Sequence, residues 1–179
     1  MTLLTSEKFI KQNLDISDNV SPKFLQAAMA DAQTLKLRPI LGDSLTDKLE
    51  KLVSDGTIKE PGNAHYKRLL DDYAQFFMMW HVRKEIAHTA SYKISNMGVT
   101  RTTDEHVQAA TQEEIIADRE YSQVKADAYA ARMQAWLLDN RKLFPELDDN
   151  SCNAIKANLT SAASCGVWLG GVRGKRIRR

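Results

Sequence analysis

Residues 63–91 read NAHYKRLLDDYAQFFMMWHVRKEIAHTAS, and this stretch decides the fold. Tyr66, Leu70, Tyr73, Phe77, Trp80 and Ala87 recur at a 4-3-4-3-7 spacing, which returns them to one face of an α-helix. Leu69 and Phe76 widen that face into a stripe. Phe76-Phe77-Met78-Met79-Trp80 is apolar all round, so that turn is expected to be enclosed by other helices. A helix of roughly 28 residues spans about 42 Å, enough for the axis of a small domain. The rest of the chain reads as elements packed on it.

At 179 residues the chain is expected to form one domain with a core that needs no staples. Hydrophobic residues at 43% and charged residues at 27% are those of an ordinary soluble globular protein. MTLLTSEKF has neither the basic region nor the apolar run of a secretory leader, and no stretch approaches the ~18 apolar residues of a membrane span. Cys152 and Cys165, the only cysteines, make a weak disulfide case and read as free thiols. The charge is unevenly placed. The last ten residues, GGVRGKRIRR, carry five of the 25 Lys and Arg and no acid, leaving 20 against 23, about −3, for residues 1–169.

Several start and stop signals flank the long run. Thr5 or Ser6 caps a short helix through about Asn13, with Phe9 and Ile10 as its apolar contacts. Ser21-Pro22 opens a second helix with Phe24, Leu25, Ala28, Ala32 and Leu35 on one side, and Pro39 is expected to end it. Asp43 or Ser44 caps a third, carrying Leu45, Leu49, Leu52 and Val53 and stopped at Asp55-Gly56. Glu60-Pro61-Gly62-Asn63 has the pattern of a type II turn. Beyond the long helix, residues 94–110 favour a loop or a short extended ribbon. Thr111-x-x-Glu114 is a capping box opening a helix to about Asn140, where Pro145 bounds it. Along it Ala117, Tyr121, Val124, Ala128, Ala131, Ala135 and Leu138 keep a 4-3 rhythm, expected to pack on the first long helix as its antiparallel partner.

From Asp148 the sequence turns small and polar, with a weak helical segment around Ala154–Leu159. Four of the eight glycines then fall between Gly166 and Gly174, interleaved with Val167, Trp168, Leu169 and Val172. This reads as an arm that docks on another surface or orders only in a complex. The expected architecture is therefore all-α: an antiparallel bundle with two long helices and shorter N-terminal ones over residues 1–147, and an extended basic arm over 148–179.

Chemistry is thin. His81, Glu85 and His88 share a face of the long helix, and Glu85-x-x-His88 matches the di-iron carboxylate pattern. That site needs a second Glu-x-x-His pair, which the sequence lacks, so no metal or other cofactor is expected. Asp71-Asp72 and Glu113-Glu114 read as helix-surface and first-turn acids rather than catalytic pairs. No phosphate-binding loop, nucleophile elbow or CxxC pair is present, and Gly170-Gly171-x-x-Gly174 lacks the strand-to-helix setting of a phosphate cradle. The expected chain is not an enzyme. Its strongest non-core feature is the tail: Arg173, Lys175, Arg176, Arg178 and Arg179 suit nucleic-acid phosphates or an acidic groove, or form only a solvated end. Trp168 argues for a partner, because a tryptophan in a loose segment wants a surface to pack on.

Taken together, Ala28-Met29-Ala30-Asp31-Ala32-Gln33, then Leu37-Arg38-Pro39-Ile40-Leu41-Gly42-Asp43-Ser44-Leu45 with Lys48-Leu49, carry a resemblance. So do Leu69-Leu70-Asp71-Asp72-Tyr73, Ile94-Ser95-Asn96-x-Gly98, and Leu137-Leu138-Asp139-Asn140 with Phe144-Pro145. Over about residues 4–147 the chain resembles the head–tail connector (adaptor) proteins of tailed bacteriophages, the crAss-like type especially. That resemblance implies a helical subunit in a ring, typically of twelve copies, beneath the portal protein at the virion's head–tail junction. It also implies assembly in the host cytoplasm, a further tail or stopper ring protein as partner, and packaged DNA passing through the centre, with no membrane involved. The arm, through Trp168 and its five cations, would meet portal or DNA, and Asn96, Gly98 and Arg101 would add loop contacts. The competing expectation is a small nucleic-acid-binding protein that uses its basic tail.

Overall fold

The computed structural model describes residues 2–14, 16, 20, 22–89, 92–95, 98–101, 111–148 and 155–159. Its elements run α1 (Glu7–Asn13), α2 (Pro22–Asp31), π1 (Ala32–Leu37), α3 (Arg38–Leu41), α4 (Asp43–Ser54), α5 (Ala64–Leu69), π2 (Leu70–Ala74), α6 (Gln75–Thr89), β1 (Tyr92–Ser95), β2 (Gly98–Arg101) and α7 (Gln112–Asp139). Short 3-10 turns at Thr57–Lys59, Pro61–Asn63, Arg141–Leu143 and Pro145–Asp148 join or extend them. The fold is all-α, with one antiparallel hairpin in which Tyr92 faces Arg101 and Ser95 faces Gly98.

α5, π2 and α6 form the continuous helix that the 63–91 stretch predicts. Tyr66, Leu69, Leu70, Tyr73 and Phe77 are buried, and Phe77, Met78 and Met79 vanish into the centre with Phe76 and Trp80 beside them. The π turn at Leu70–Ala74 is not visible in the spacing, since one wide turn displaces the stripe without breaking it. α7 lies antiparallel to this helix. Tyr73 stacks on Trp136 (5.0 Å), Phe76 on Tyr129 (5.6 Å), and Trp80 meets Tyr121 edge-on (5.7 Å), so rising numbers on one helix meet falling numbers on the other. Arg83 and Asp118 (2.7 Å), and Lys84 and Gln123 (2.7 Å), continue the seam. Phe144 closes the far end, fully buried between Tyr66, His65 and Trp136.

The face of α7 that makes this contact corrects the sequence reading. Ile115, Ser122, Ala126, Met133, Gln134 and Leu137 are buried, whereas all of Ala117, Tyr121, Val124, Ala128, Ala131, Ala135 and Leu138 are exposed. Both sets keep a 4-3 spacing, and they are offset by two residues, about 200° around the helix. Given two apolar stripes, the one holding Tyr129, Met133, Trp136 and Leu137 buries far more area than one built mainly of alanine.

Other signals hold or shift for local reasons. Ser6 caps α1 through its hydroxyl, which accepts from the Phe9 amide (3.2 Å). The Thr111–Glu114 capping box forms reciprocally, and Gly56 adopts φ 71° beyond α4. Pro39 does not end the second helix. π1 widens the turn before it, and the proline falls at the start of α3, where its missing N–H costs nothing. The extra residue also rotates the apolar face: Leu37 is fully buried, while Leu35 (61% exposed) and Phe24 (47%) point outward, contrary to the expected stripe. Glu60–Asn63 closes with the Asn63 amide on the Glu60 carbonyl (2.9 Å) but winds as a 3-10 turn, because Gly62 lacks the positive φ of a type II turn. α4 starts at Asp43 with Gly42 in the N-cap position, so neither Asp43 nor Ser44 is the cap residue.

The N-terminus is tied down by one buried glutamine. Gln33 accepts from the Leu4 amide (2.8 Å) and donates to the Thr2 carbonyl (2.9 Å) and to Glu50 (3.0 Å). A buried amide saturated in this way fixes the chain it binds.

Candidate interaction surfaces

Asp43 opens α4 instead of capping it, and its carboxylate is engaged elsewhere. It accepts from the Ile155 amide (2.6 Å) and from Arg38 (2.9 Å). The Asp43 amide in turn donates to the Ile155 carbonyl (2.9 Å). Three residues on, the Asn158 amide donates to the carbonyls of Ile40 (3.0 Å) and Pro39 (3.2 Å), and Gln134 of α7 donates to the Asn158 carbonyl (2.9 Å). Residues 155–159 are thus an extended segment held in a slot between the α3–α4 corner and α7, and not the helix expected around Ala154–Leu159.

Glycine makes the slot. Gly42 adopts φ 81° and ψ 165°, a region other residues scarcely enter, and a Cβ there would stand 2.8 Å from the Ala157 nitrogen and 3.0 Å from the Ile155 oxygen. Arg38 braces the corner, pairing with Asp43 and Asp47 and lying 3.6 Å from Glu50, which also accepts from the Thr2 amide (3.1 Å). One guanidinium therefore links the N-terminus, α4 and the segment after α7. Pro39, Gly42 and Asp43 gave no sequence sign of this role, because each has a strong local reading as helix breaker, turn or cap.

The polar residues singled out for chemistry have structural occupations. His81 is buried, edge-on to Phe77 (4.7 Å). Burial, then Lys36 and Lys84, push its imidazole down to about 4 against a smaller opposing pull from Asp127, so it is neutral at pH 7. It borders a cavity of about 150 Å³ with Asp31, Ala32, Leu35, Lys36 and Glu85. The side chain of His88 lies outside the described residues, and among those described no three His, Cys, Asp or Glu side chains converge to hold a metal. Asp71 and Asp72 pair along the helix surface with Lys67 and Arg68, and Glu114 serves the capping box. Tyr66 donates to Glu146 (2.7 Å), and burial together with that carboxylate raises its phenol above the usual range.

Trp168, Arg173, Lys175, Arg176, Arg178 and Arg179 lie outside the described residues, as do Asn96, Cys152 and Cys165. Gly98 and Arg101 are placed at the two ends of β2. No described helix is long and apolar enough to cross a membrane.

A helical body with a segment-binding corner and an outward apolar stripe is therefore the class of protein these surfaces define. Residues 37–157 match DUF6712, a family of unknown function, and the chain belongs to it. The match takes in both α7 and the first residues of the docked segment. No curated protein and no solved structure matches the chain.

Proposed function

We propose that this chain is a structural, non-enzymatic subunit of a bacteriophage head–tail connector, assembling into a ring that docks on the portal protein and lets DNA pass through its centre. The reading comes from the resemblance carried by residues 4–147. The observation that supports it most is the outward stripe of α7, because a long helix apolar on both faces suits a subunit that packs on other chains as well as on its own body. The Gly42 slot adds a second support. It seats residues 155–159 on the body, a few positions ahead in sequence of Trp168 and the five C-terminal cations. An arm that orders only on docking delays assembly until its partner is present, at a cost in entropy. Ring closure by heterologous contacts needs two different faces on each copy.

Co-expression with the portal protein of the same phage tests the reading, using the full chain and a chain lacking residues 166–179. The full chain is expected to co-purify with portal and the shortened one to be lost. A full chain that ignores portal yet binds DNA tightly, in a salt-sensitive manner that disappears with the tail, would establish the nucleic-acid-binding reading in its place.

A further inference from the structure

The exposed stripe on α7 carries more than a general readiness to pack. Ala117, Tyr121, Val124, Ala128, Ala131, Ala135 and Leu138 alternate in steps of four and three, the spacing by which one helix meets another over many turns. Val124 is 67% exposed and Tyr121 and Leu138 are each 50% exposed, so the largest side chains of the stripe lack full cover on their own body. Alanines at the four remaining positions allow a second helix axis to approach to about 8 Å, the close end of helix packing.

The flanks identify the second helix. On one side of the stripe, at matching positions a heptad apart, stand Glu120 and Asp127; on the other stand Lys125 and Arg132. Glu120, Asp127 and Arg132 are exposed, and Lys125 is half-buried. Among the described residues Lys125 lies over the Tyr121 ring (5.4 Å) and Arg132 over the Tyr73 ring (5.3 Å), contacts that leave their charges open to a carboxylate. Two copies of α7 packed parallel and in register set Glu120 against Lys125 of the other copy, and Asp127 against Arg132. An antiparallel pair sets the acidic flank against itself and the basic flank against itself. The next pair along, Glu113 with Asp118, is like-charged, but Asp118 is already neutralised by Arg83 of its own chain (2.7 Å).

We propose that the outward face of α7 is the surface on which a second copy of this chain docks, with the two α7 helices parallel and in register. Two copies that meet in this way use the same face and satisfy both flanks at once, so the contact is a two-fold pair, and a larger ring adds a second, different contact between such pairs. The proposal deepens the connector reading and rests on it only in requiring that the chain self-assembles.

Sedimentation of the full chain tests it, with two charge-reversed variants: Glu120→Lys with Asp127→Lys, and Lys125→Glu with Arg132→Glu. Both alter side chains at the helix surface, and helical circular dichroism checks that each variant folds. The wild type is expected to self-associate, each variant alone to associate at least about tenfold more weakly, and an equimolar mixture of the two to recover wild-type affinity. A wild type that stays monomeric at the highest attainable concentration, variants that associate like wild type, or a mixture that does not recover would each overturn the proposal. The outcomes separate it from the connector reading. Self-association through this face without portal binding would remove the connector role and keep the surface, while portal-bound rings indifferent to charge reversal would do the reverse.

Discussion

Gly42→Ala probes the corner that holds the segment after α7. The substitution meets two obstacles at once. The φ of 81° with ψ of 165° lies in a region that costs a non-glycine residue about 1–3 kcal/mol. The new methyl would also stand 2.8 Å from the Ala157 nitrogen and 3.0 Å from the Ile155 oxygen, both backbone atoms that cannot rotate aside. The cheapest relief is for residues 155–159 to leave the slot. Leaving forfeits the paired bonds between Asp43 and Ile155 and the bonds of Asn158 to Ile40 and Gln134, each worth roughly 0.5–1.5 kcal/mol net of exchange with water. The expected total is at least about 3 kcal/mol, a fall in Tm of at least about 6 °C for a chain of this size. Hydrogen exchange resolves where the loss occurs: the Ile155, Asn158 and Asp43 amides should lose protection while Met78 and Met133 in the core keep theirs. A variant with wild-type Tm and unchanged protection at Ile155 and Asn158 would refute the slot.

Three other perturbations have definite outcomes. Phe144→Ala empties a fully buried site between Tyr66, His65 and Trp136 and should cost about 3–5 kcal/mol in denaturant unfolding. Thr111→Ala removes one half of the capping box at the start of α7 and should cost about 1 kcal/mol, seen as faster amide exchange in its first turn. His81, held down to about 4 in the folded protein against 6.5 for the free side chain, binds a proton more readily once unfolded. Its contribution is therefore present above pH 6.5 and lost as pH falls toward 4, with a slope approaching about 1.4 kcal/mol per pH unit between them. His81→Leu should flatten that part of the stability profile, measured by urea unfolding across the window.

The sequence spoke clearly where one signal stood alone. The 63–91 stretch has a single broad stripe of large residues, so its burial followed from spacing; Gly56 and Thr111 sit where no competing reading exists, and at the start of α1 the choice was only between Thr5 and its neighbour Ser6. α7 was misread because apolar residues line both of its faces. Spacing alone ranks the two stripes equally, and only side-chain volume against a particular neighbour separates Met133 and Trp136 from Ala131 and Ala135. Pro39 and Asp43 failed for a related reason. Each was given its commonest local role, whereas the π turn at Ala32–Leu37 and the distant Ile155 changed what each was needed for. The slot itself joins residues more than a hundred positions apart, and no local pattern encodes that pairing. The basic cluster from Arg173 to Arg179 and Trp168 were legible as features of the tail, and they lie outside the described residues.

Negative-stain imaging of the full chain co-expressed with the portal protein that the proposed connector role requires addresses the central claim most directly. The account predicts a closed ring of this chain seated on the portal, with an open centre wide enough for duplex DNA. Isolated portal rings beside unassembled small protein would contradict it.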